Sequence, residues 1–378
     1  MKGLLITHKG MEDIAALEVK ELIGKKSQIN DSCIVFDIKE HQDLFKLCYK
    51  SQSAMGIYYL LSEFSHKNIF NDFKKNIQKI DFNEWLSKKT TFRIKYKKNY
   101  DNKISTPELE KELGALVIDN IKNKHNYKQK VNLNNPDIIL FVYLTKNKCH
   151  FGIDFAGFDL SKRYYNIFMH PAAIKGTIAY FLIQLSNYKK TETLVDPFST
   201  SGTIPIEAAL LASNFPVNFY NKEKFAFLKF DKFNNFDCKN FFKEIDKEIK
   251  KDKLQIYNID SSMKHINFAK KNSKIAGIDK KIHYSRIELE WLDTKFNKNQ
   301  VDKIVTKMPS INTKDINKIY NEFFYNAEFI LNKKGKIVLI GKRELVEKFS
   351  TKYKFKLSNE INIFSGKEEY NILVLSKK

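Results

Sequence analysis

The chemistry this chain can do is read first from a carboxylate, a glycine-bearing turn and a second carboxylate. Residues 193–214 read TLVDPFSTSGTIPIEAALLASN. Leu194 and Val195 form a short apolar run that ends at Asp196, and a turn over residues 197–203 follows. Residues 204–213 are rich in Ala, Leu and Ile, with Glu207 among them. That order predicts a strand, a tight turn and a helix. In an α/β sheet such a turn lies at the carboxyl edge of the strands, where ligands bind. Gly202 lets a ligand approach the backbone, and the helix start offers free N–H groups. An ordinary strand-to-helix turn with a Ser or Thr cap reads the same way. The pattern is not GxGxxG, and no Gly-Lys-Ser/Thr follows, so it is not a phosphate loop. A second run, residues 254–259, ends at Asp260. A carboxylate there can accept hydrogen bonds from both hydroxyls of a ribose, and the same place also suits a helix N-cap.

Around these residues the chain alternates strands and helices. Strands are predicted over 2–7, 32–38, 91–97, 138–144, 149–155, 281–287, 301–307 and 335–340, with a closing hairpin over 361–364 and 371–376. Helices are predicted over 11–22, 41–61, 69–86, 107–124, 170–185, 241–250, 263–276, 311–331 and 344–354. His170 is read as a helix-start residue rather than a metal ligand, because no partner ligands lie near it. The β-α-β-α order of the first residues suggests a ferredoxin-like unit.

With 378 residues the chain has room for two or three domains. Lys and Arg number 66 against 44 Asp and Glu, a formal charge of +22 spread along the whole length. Such an excess predicts a polyanionic partner, most simply a nucleic acid. Cys33, Cys48, Cys149 and Cys238 are scattered without a CxxC pair, so neither a zinc site nor a disulfide framework is expected. The first ten residues hold too short an apolar run for a signal peptide, and no stretch of about 18 apolar residues occurs, so no membrane span and a cytoplasmic location are expected. Residues 214–252 are rich in Lys and Phe. Aromatics interleaved with lysines can stack bases, but packing is the favoured reading of the Phe side chains.

DPFSTSGTIPIEAA, residues 196–209, resembles the first motif of S-adenosylmethionine-dependent methyltransferases. The branch it is most similar to carries an N-terminal THUMP RNA-binding domain and reads DP(M/F)CGSGTxxIEAA here. Thr200 stands where that branch has its first Gly, and Ser199 where it has Cys. The resemblance extends to VNLNNPD, residues 131–137, ahead of a hairpin, to Leu160-Ser161-Lys162-Arg163-Tyr164-Tyr165, to Phe225-Ala226-Phe227, and to residues 258–282 around Asp260. It implies an α/β architecture: a ferredoxin-like domain over 1–65, a THUMP domain over 66–165, and a Rossmann-like seven-stranded methyltransferase sheet over 166–378. It places S-adenosylmethionine against Asp196, Phe198, Ser199, Thr200, Ser201, Gly202 and Thr203, with Asp260 on the ribose and Glu288 by the adenine amino group. It places Lys162 and Arg163 on phosphate. No metal is implied.

The resemblance weakens at one further motif. Where the family has NPP(Y/F) or DPP(Y/F), which holds the amine to be methylated, this chain reads Lys307-Met308-Pro309-Ser310. A protonated lysine has donors and no acceptor. Two readings follow. The chain is an S-adenosylmethionine-dependent methyltransferase acting on structured RNA, with N2-methylation of guanosine in tRNA implied. Or it is a methyltransferase-like RNA-binding protein without turnover, serving a larger tRNA-modification complex. Adenine-N6 methylation of DNA is a third reading, against which the THUMP-like half argues.

Overall fold

The computed structural model describes residues 1–100, 105–309, 315–366 and 368–378. In chain order the elements are β1 (Lys2–Ile6), α1 (Glu12–Ile23), β2 (Ser27–Asn30), β3 (Cys33–Asp37), α2 (Gln42–Lys50), β4 (Gly56–Ser65), α3 (Ile69–Ile77), β5 (Thr91–Lys98), α4 (Thr106–His125), β6 (Lys130–Val131), β7 (Ile138–Leu144) and β8 (Lys148–Asp154). Then come α5 (Gly176–Ser186), β9 (Leu194–Asp196), α6 (Thr203–Ala212), α7 (Cys238–Asp246), β10 (Ile256–Asp260), α8 (Met263–Ile275), β11 (His283–Arg286), α9 (Leu292–Lys295), β12 (Val301–Lys307), α10 (Ile316–Ile330), β13 (Leu331–Ile340), α11 (Arg343–Lys352), β14 (Phe355–Ser365) and β15 (Glu368–Lys377). They form two compact units: Met1–Thr7, Ala15–Leu160 and Asn221–Lys243 make the first, and His8–Ile14, Ser161–Tyr220 and Glu244–Lys378 the second.

The first unit is built on one eight-stranded sheet in the order β2-β3-β1-β4-β8-β7-β5-β6. β4 pairs with β8, so residues 1–65 and 66–160 share this sheet and its ladder. The helix predicted over 41–61 stops at Lys50, and β4 takes its second half. Glu18 explains the break. Its buried carboxylate accepts from Ser51 Oγ at 2.6 Å and from the backbone N–H groups of Gln52 at 2.7 Å and Ser53 at 3.1 Å. Those donors hold residues 51–53 in a non-helical turn, and GIYYLLSEFS, rich in residues that favour strands, continues extended. Burial still raises the Glu18 carboxyl above its ordinary value, against these hydrogen bonds.

The Lys- and Phe-rich segment 221–243 belongs to this first unit. Phe227 stacks on Phe45 with ring centroids 4.0 Å apart, and Phe233 meets the same ring edge-on at 5.0 Å. Lys232 lies over the Trp85 ring, 4.3 Å from its centroid. The phenylalanines pack, as their favoured reading held, but in this unit rather than within 166–378.

The second unit carries a seven-stranded sheet in the order β11-β10-β9-β12-β13-β15-β14. β9 to β13 run parallel, and β15 is antiparallel to β13. β9 lies between β10 and β12, so the chain reverses its direction of travel across the sheet there. Ligands of open α/β sheets bind at such a point. Val195, Ile304, Ile337 and Leu339 carry one core, with Phe323, Phe324 and Tyr320 of α10 among its buried members. The other core joins Leu194, Val305 and Val338 to Ile178 and Leu182 of α5 and Ile206 and Leu210 of α6.

Arg163 is part of that interior. Its side chain is 2% exposed and its Nε donates to Glu207 Oε1 at 2.7 Å, while Nη2 donates to Oε2 at 3.2 Å. Tyr165 OH donates to the same Oε1 at 2.6 Å. A Cβ on Gly176, the first residue of α5, would fall 2.4 Å from Glu207 Oε1, so only glycine leaves room for the pair. The phosphate contact expected of Arg163 is therefore corrected: its guanidinium is spent on a buried carboxylate. Lys162, next to it, is exposed. Glu207→Gln strips that guanidinium of its counter-charge and is expected to cost about 3 kcal/mol in urea unfolding, against less than about 0.5 kcal/mol for Lys162→Ala.

Candidate active site

A cavity of about 690 Å³ opens at the carboxyl edge of the second sheet, within the second unit. Four strand ends build it. Asp196, Pro197, Phe198, Ser199, Thr200, Thr203 and Ile204 come from the end of β9 and the start of α6. Asp260, Ser261 and His265 come from β10 and α8, and Lys307, Met308 and Pro309 from the end of β12. Ile287, Glu288, Leu289 and Glu290 follow β11 and close one wall. Ser310 lies outside the described residues.

The β9 turn keeps its shape by backbone hydrogen bonds to the neighbouring strand. Ser199 N–H donates to the Ile259 carbonyl at 3.0 Å, and Thr200 N–H to Asp260 Oδ2 at 3.0 Å. Gly202 has φ +80°, and a Cβ there would fall 2.7 Å from Ala269 Cβ. Thr200 has φ +46°, the left-handed region, at the place where the resembled motif has glycine. A β-branched residue holds that conformation at a cost of about 1–3 kcal/mol. The loop conformation is thus retained without the glycine that usually provides it.

Asp260 is the hub of the site. Oδ1 accepts from Ser262 N–H at 2.9 Å and from His265 Nδ1 at 2.9 Å. Oδ2 accepts only from Thr200 N–H among the described residues, which leaves one lone-pair direction on it for a hydroxyl. The N-cap of α8 is Ser262, not Asp260. His265 meets His170 ring to ring, with centroids 4.6 Å apart. His170 Nδ1 accepts from Ala172 N–H at 3.1 Å, which puts the ring proton of its neutral form on Nε2. Its backbone N–H donates to Ser201 Oγ at 2.7 Å. Burial and the neighbouring His265 push the His170 imidazole below its ordinary value. The helix expected from residue 170 begins at Gly176, and His170 instead lines the cavity.

Asp196 is fully enclosed. Thr306 Oγ1 donates to its Oδ1 at 2.6 Å and Phe198 N–H at 3.2 Å. Burial, with Asp260 adding to it, pushes the Asp196 carboxyl up to about 7 despite those two donors. Lys307 is half-buried. Its Nζ donates to the Ala172 carbonyl at 3.0 Å and lies 5.4 Å from the centroid of the Tyr370 ring. Burial lowers its basicity, and Glu368 opposes that.

The residues named from the sequence do not all face the cavity. Ser201 and Gly202 brace the turn from behind: Ser201 Oγ is taken by His170, and its carbonyl accepts from Asn272 Nδ2 at 3.0 Å. Met308 lines the cavity while belonging to the core beneath it. His265 and Glu322 were missed. Neither sits at a strand tip, and only the three-dimensional fold carries a residue of α8 or α10 back to the cavity.

The cavity suits a nucleoside that bears an amino-acid tail. Ser199 Oγ and Thr203 Oγ1 are buried without a partner, on residues that line it. The start of α6 has no side-chain cap, so its N–H groups are available to a carboxylate. Asp196 Oδ2 accepts no hydrogen bond among the described residues and can meet an ammonium. Phe198, Ile287 and Leu289 offer apolar faces to a base, with Glu288 beside them. A parallel sheet with a glycine turn after one strand, an acid at the tip of the next and this pocket between them defines a methyltransferase that uses S-adenosylmethionine.

Residues 163–371 match the family described as RMKL-like, methyltransferase domain, and residues 67–154 match the THUMP domain. The chain belongs to the RMKL-like methyltransferase family and carries a THUMP domain ahead of it. It is 30% identical to the tRNA (guanine(6)-N2)-methyltransferase of Methanocaldococcus jannaschii over 373 residues, 96% of this chain and 94% of that one. It is 28% identical to the protein of the same name from Archaeoglobus fulgidus, over 88% of this chain and 80% of that one. In fold it is similar to a possible methylase from Clostridium difficile 630, with a TM-score of 0.85, 22% identity, and coverage of 100% of this chain and 98% of that one. A putative methyltransferase solved with SAH superposes with a TM-score of 0.83 at 19% identity, over 100% and 98% of the two chains.

Two outcomes are expected. Thr200→Gly relieves the left-handed threonine, offset in part by a looser unfolded chain, for a net gain of about 1 kcal/mol and a Tm rise of about 2 °C, with cofactor affinity unchanged. The raised Asp196 carboxyl stabilises the fold fully below the unfolded value of about 4 and loses that contribution as pH rises through about 7. Stability of the ligand-free protein, measured against Asp196→Asn, therefore falls between about pH 4 and 7 by up to about 1.4 kcal/mol per unit and levels off above.

Proposed function

We propose that this chain transfers the methyl group of S-adenosylmethionine to the exocyclic N2 of a guanosine in tRNA, at the position named for its relatives from Methanocaldococcus jannaschii and Archaeoglobus fulgidus. One observation carries the reading: a single cavity brings together the β9 turn, Asp260 and residues 307–309. A donor pocket and an amine-holding motif must share a cavity if one is to act on the other.

Bound there, S-adenosylmethionine supplies an electrophilic methyl group. The chain's part is placement. Asp260 Oδ2, with His265 holding the other oxygen, takes a ribose hydroxyl. Glu288 accepts from the adenine amino group, and Ser199, Thr203 and the start of α6 hold the carboxylate of the tail. The guanine enters at the end of β12, where Met308 and Pro309 form the wall. Lys307 brings an ammonium and no acceptor. Acceptor capacity for the amine's protons therefore falls to the backbone carbonyls of residues 308 and 309. Among the described residues no group of acids, histidines and cysteines forms a metal site, and none of these roles calls for one.

The THUMP domain and the charge of +22 support tRNA as the substrate. Lys162, exposed in the second unit, is the phosphate contact retained from the sequence. No helix among the described residues is long and apolar enough to cross a membrane, and we place the enzyme with its tRNA in the cytoplasm. The alternative, an RNA-binding relative without turnover, has Lys307 in its favour.

Calorimetry with S-adenosylmethionine, followed by methyl transfer to unmodified tRNA and nucleoside analysis, tests the reading. Saturable binding that Asp260→Ala weakens at least about tenfold, together with N2-methylguanosine in the product, is expected. Tight cofactor binding with no transfer to any tRNA, or no cofactor binding at all, would remove the enzyme reading and leave the alternative.

A further inference from the structure

The outer face of α8 and residues 167–169 adjoin the cavity residues His265 and His170, and no role described so far uses them. α8 carries Lys264, Lys270, Lys271 and Lys274 and no acidic residue. All four are exposed, and none forms an ion pair among the described residues. Other cations of this unit do have carboxylate partners: Lys318 is paired with Glu290 at 3.0 Å, and Arg343 with Glu347 at 3.0 Å and with Glu360. Four unopposed lysines on one helix repel each other and lower the stability of the free protein, unless an anion lies across them.

Apolar and aromatic side chains lie among these lysines. Ile167 is 65% exposed, Met169 62% and Met263 51%. Phe168 and Phe268 are half-exposed with ring centroids 6.1 Å apart. Lys271 lies 4.7 Å from the Phe168 centroid and Lys264 5.6 Å from that of Phe268. The surface is also held rigidly to the cavity. Asn272, fully buried, accepts from Phe168 N–H at 3.0 Å and donates to the Phe168 carbonyl at 2.9 Å and the Ser201 carbonyl at 3.0 Å. His170 and His265, which line the cavity, are the next residues along each side of this face.

We infer that this face binds the unpaired RNA strand flanking the target nucleotide, with the α8 lysines on its phosphates and Phe168, Met169 and Ile167 under its bases. The inference rests on the proposed RNA substrate. Its chemistry selects a single strand: stacking on exposed apolar side chains needs splayed bases, which a paired A-form helix does not offer. The same Asn272 clamp ties this face to the turn at Ser201, and its neighbours His170 and His265 line the cavity.

The test compares the full-length wild type with a variant carrying Lys264→Ala, Lys270→Ala, Lys271→Ala and Lys274→Ala. A control carries Lys318→Ala, Lys348→Ala and Lys352→Ala. Binding of a tRNA transcript is measured across salt, with an unpaired oligonucleotide and a duplex of equal length as competitors. The α8 variant is expected to bind about tenfold or more weakly and to lose about 0.7 from the salt slope for each phosphate contact removed. S-adenosylmethionine affinity and Tm should stay at wild-type values or, for Tm, rise. The unpaired oligonucleotide should compete with tRNA on the wild type and lose that advantage on the variant. An unchanged affinity and slope in the α8 variant, or competition by duplex equal to that by the unpaired strand, overturns the inference while leaving the methyltransferase reading intact. Failure of the wild type to bind any RNA overturns both.

Discussion

Everything at the carboxyl edge of the second sheet depends on how Asp260 divides its carboxylate. One oxygen holds the backbone of Thr200, and the other holds Ser262 and His265. The first bond fixes the turn that begins at Asp196; the second fixes the start of α8. Two loops from different strands are thereby locked to one charged group that is itself buried. The cost of burying that charge is offset only by these donors, so the site and the local fold cannot be separated energetically. Asp196, on the neighbouring strand, is driven toward neutrality by its own burial, with the Asp260 charge adding to it.

The departures from the expected motif weigh differently once geometry is available. Thr200 looked like the loss of a required glycine, yet its backbone takes the left-handed conformation and makes the bond to Asp260. What has changed there is strain, not shape. Lys307 is a change of chemistry. Its ammonium is tied to the Ala172 carbonyl and set over the Tyr370 ring, so it braces the segment carrying His170 and Ala172 where the family's asparagine would face the amine.

What could be read in the sequence was whatever depends on near neighbours. The strands predicted over 138–144 and 301–307 are found with those bounds, because a buried strand is written in consecutive residues. The methyltransferase family, the seven-stranded sheet and the S-adenosylmethionine dependence were legible from motifs that are themselves local. Long-range pairings were not. The helix predicted over 41–61 fails because Glu18, some thirty residues earlier, captures the backbone at 51–53. Arg163 reads as a phosphate ligand from its motif; its partner, Glu207, arrives from α6. His265 reaches Asp260 only through the bend between β10 and α8, a distance that spacing alone does not give.

The membership of residues 221–243 in the first unit has a consequence for biosynthesis. As the chain leaves the ribosome from its N-terminus, Phe45 must wait for Phe227 and Phe233, which are translated after β9 and α6 of the second unit. A nascent N-terminal portion therefore exposes an aromatic surface for as long as about two hundred further residues take to appear, roughly ten to forty seconds at ordinary rates of synthesis. During that window the half-made protein is the form most in need of a chaperone, and a nonsense codon between positions 160 and 221 would release it with that surface uncovered.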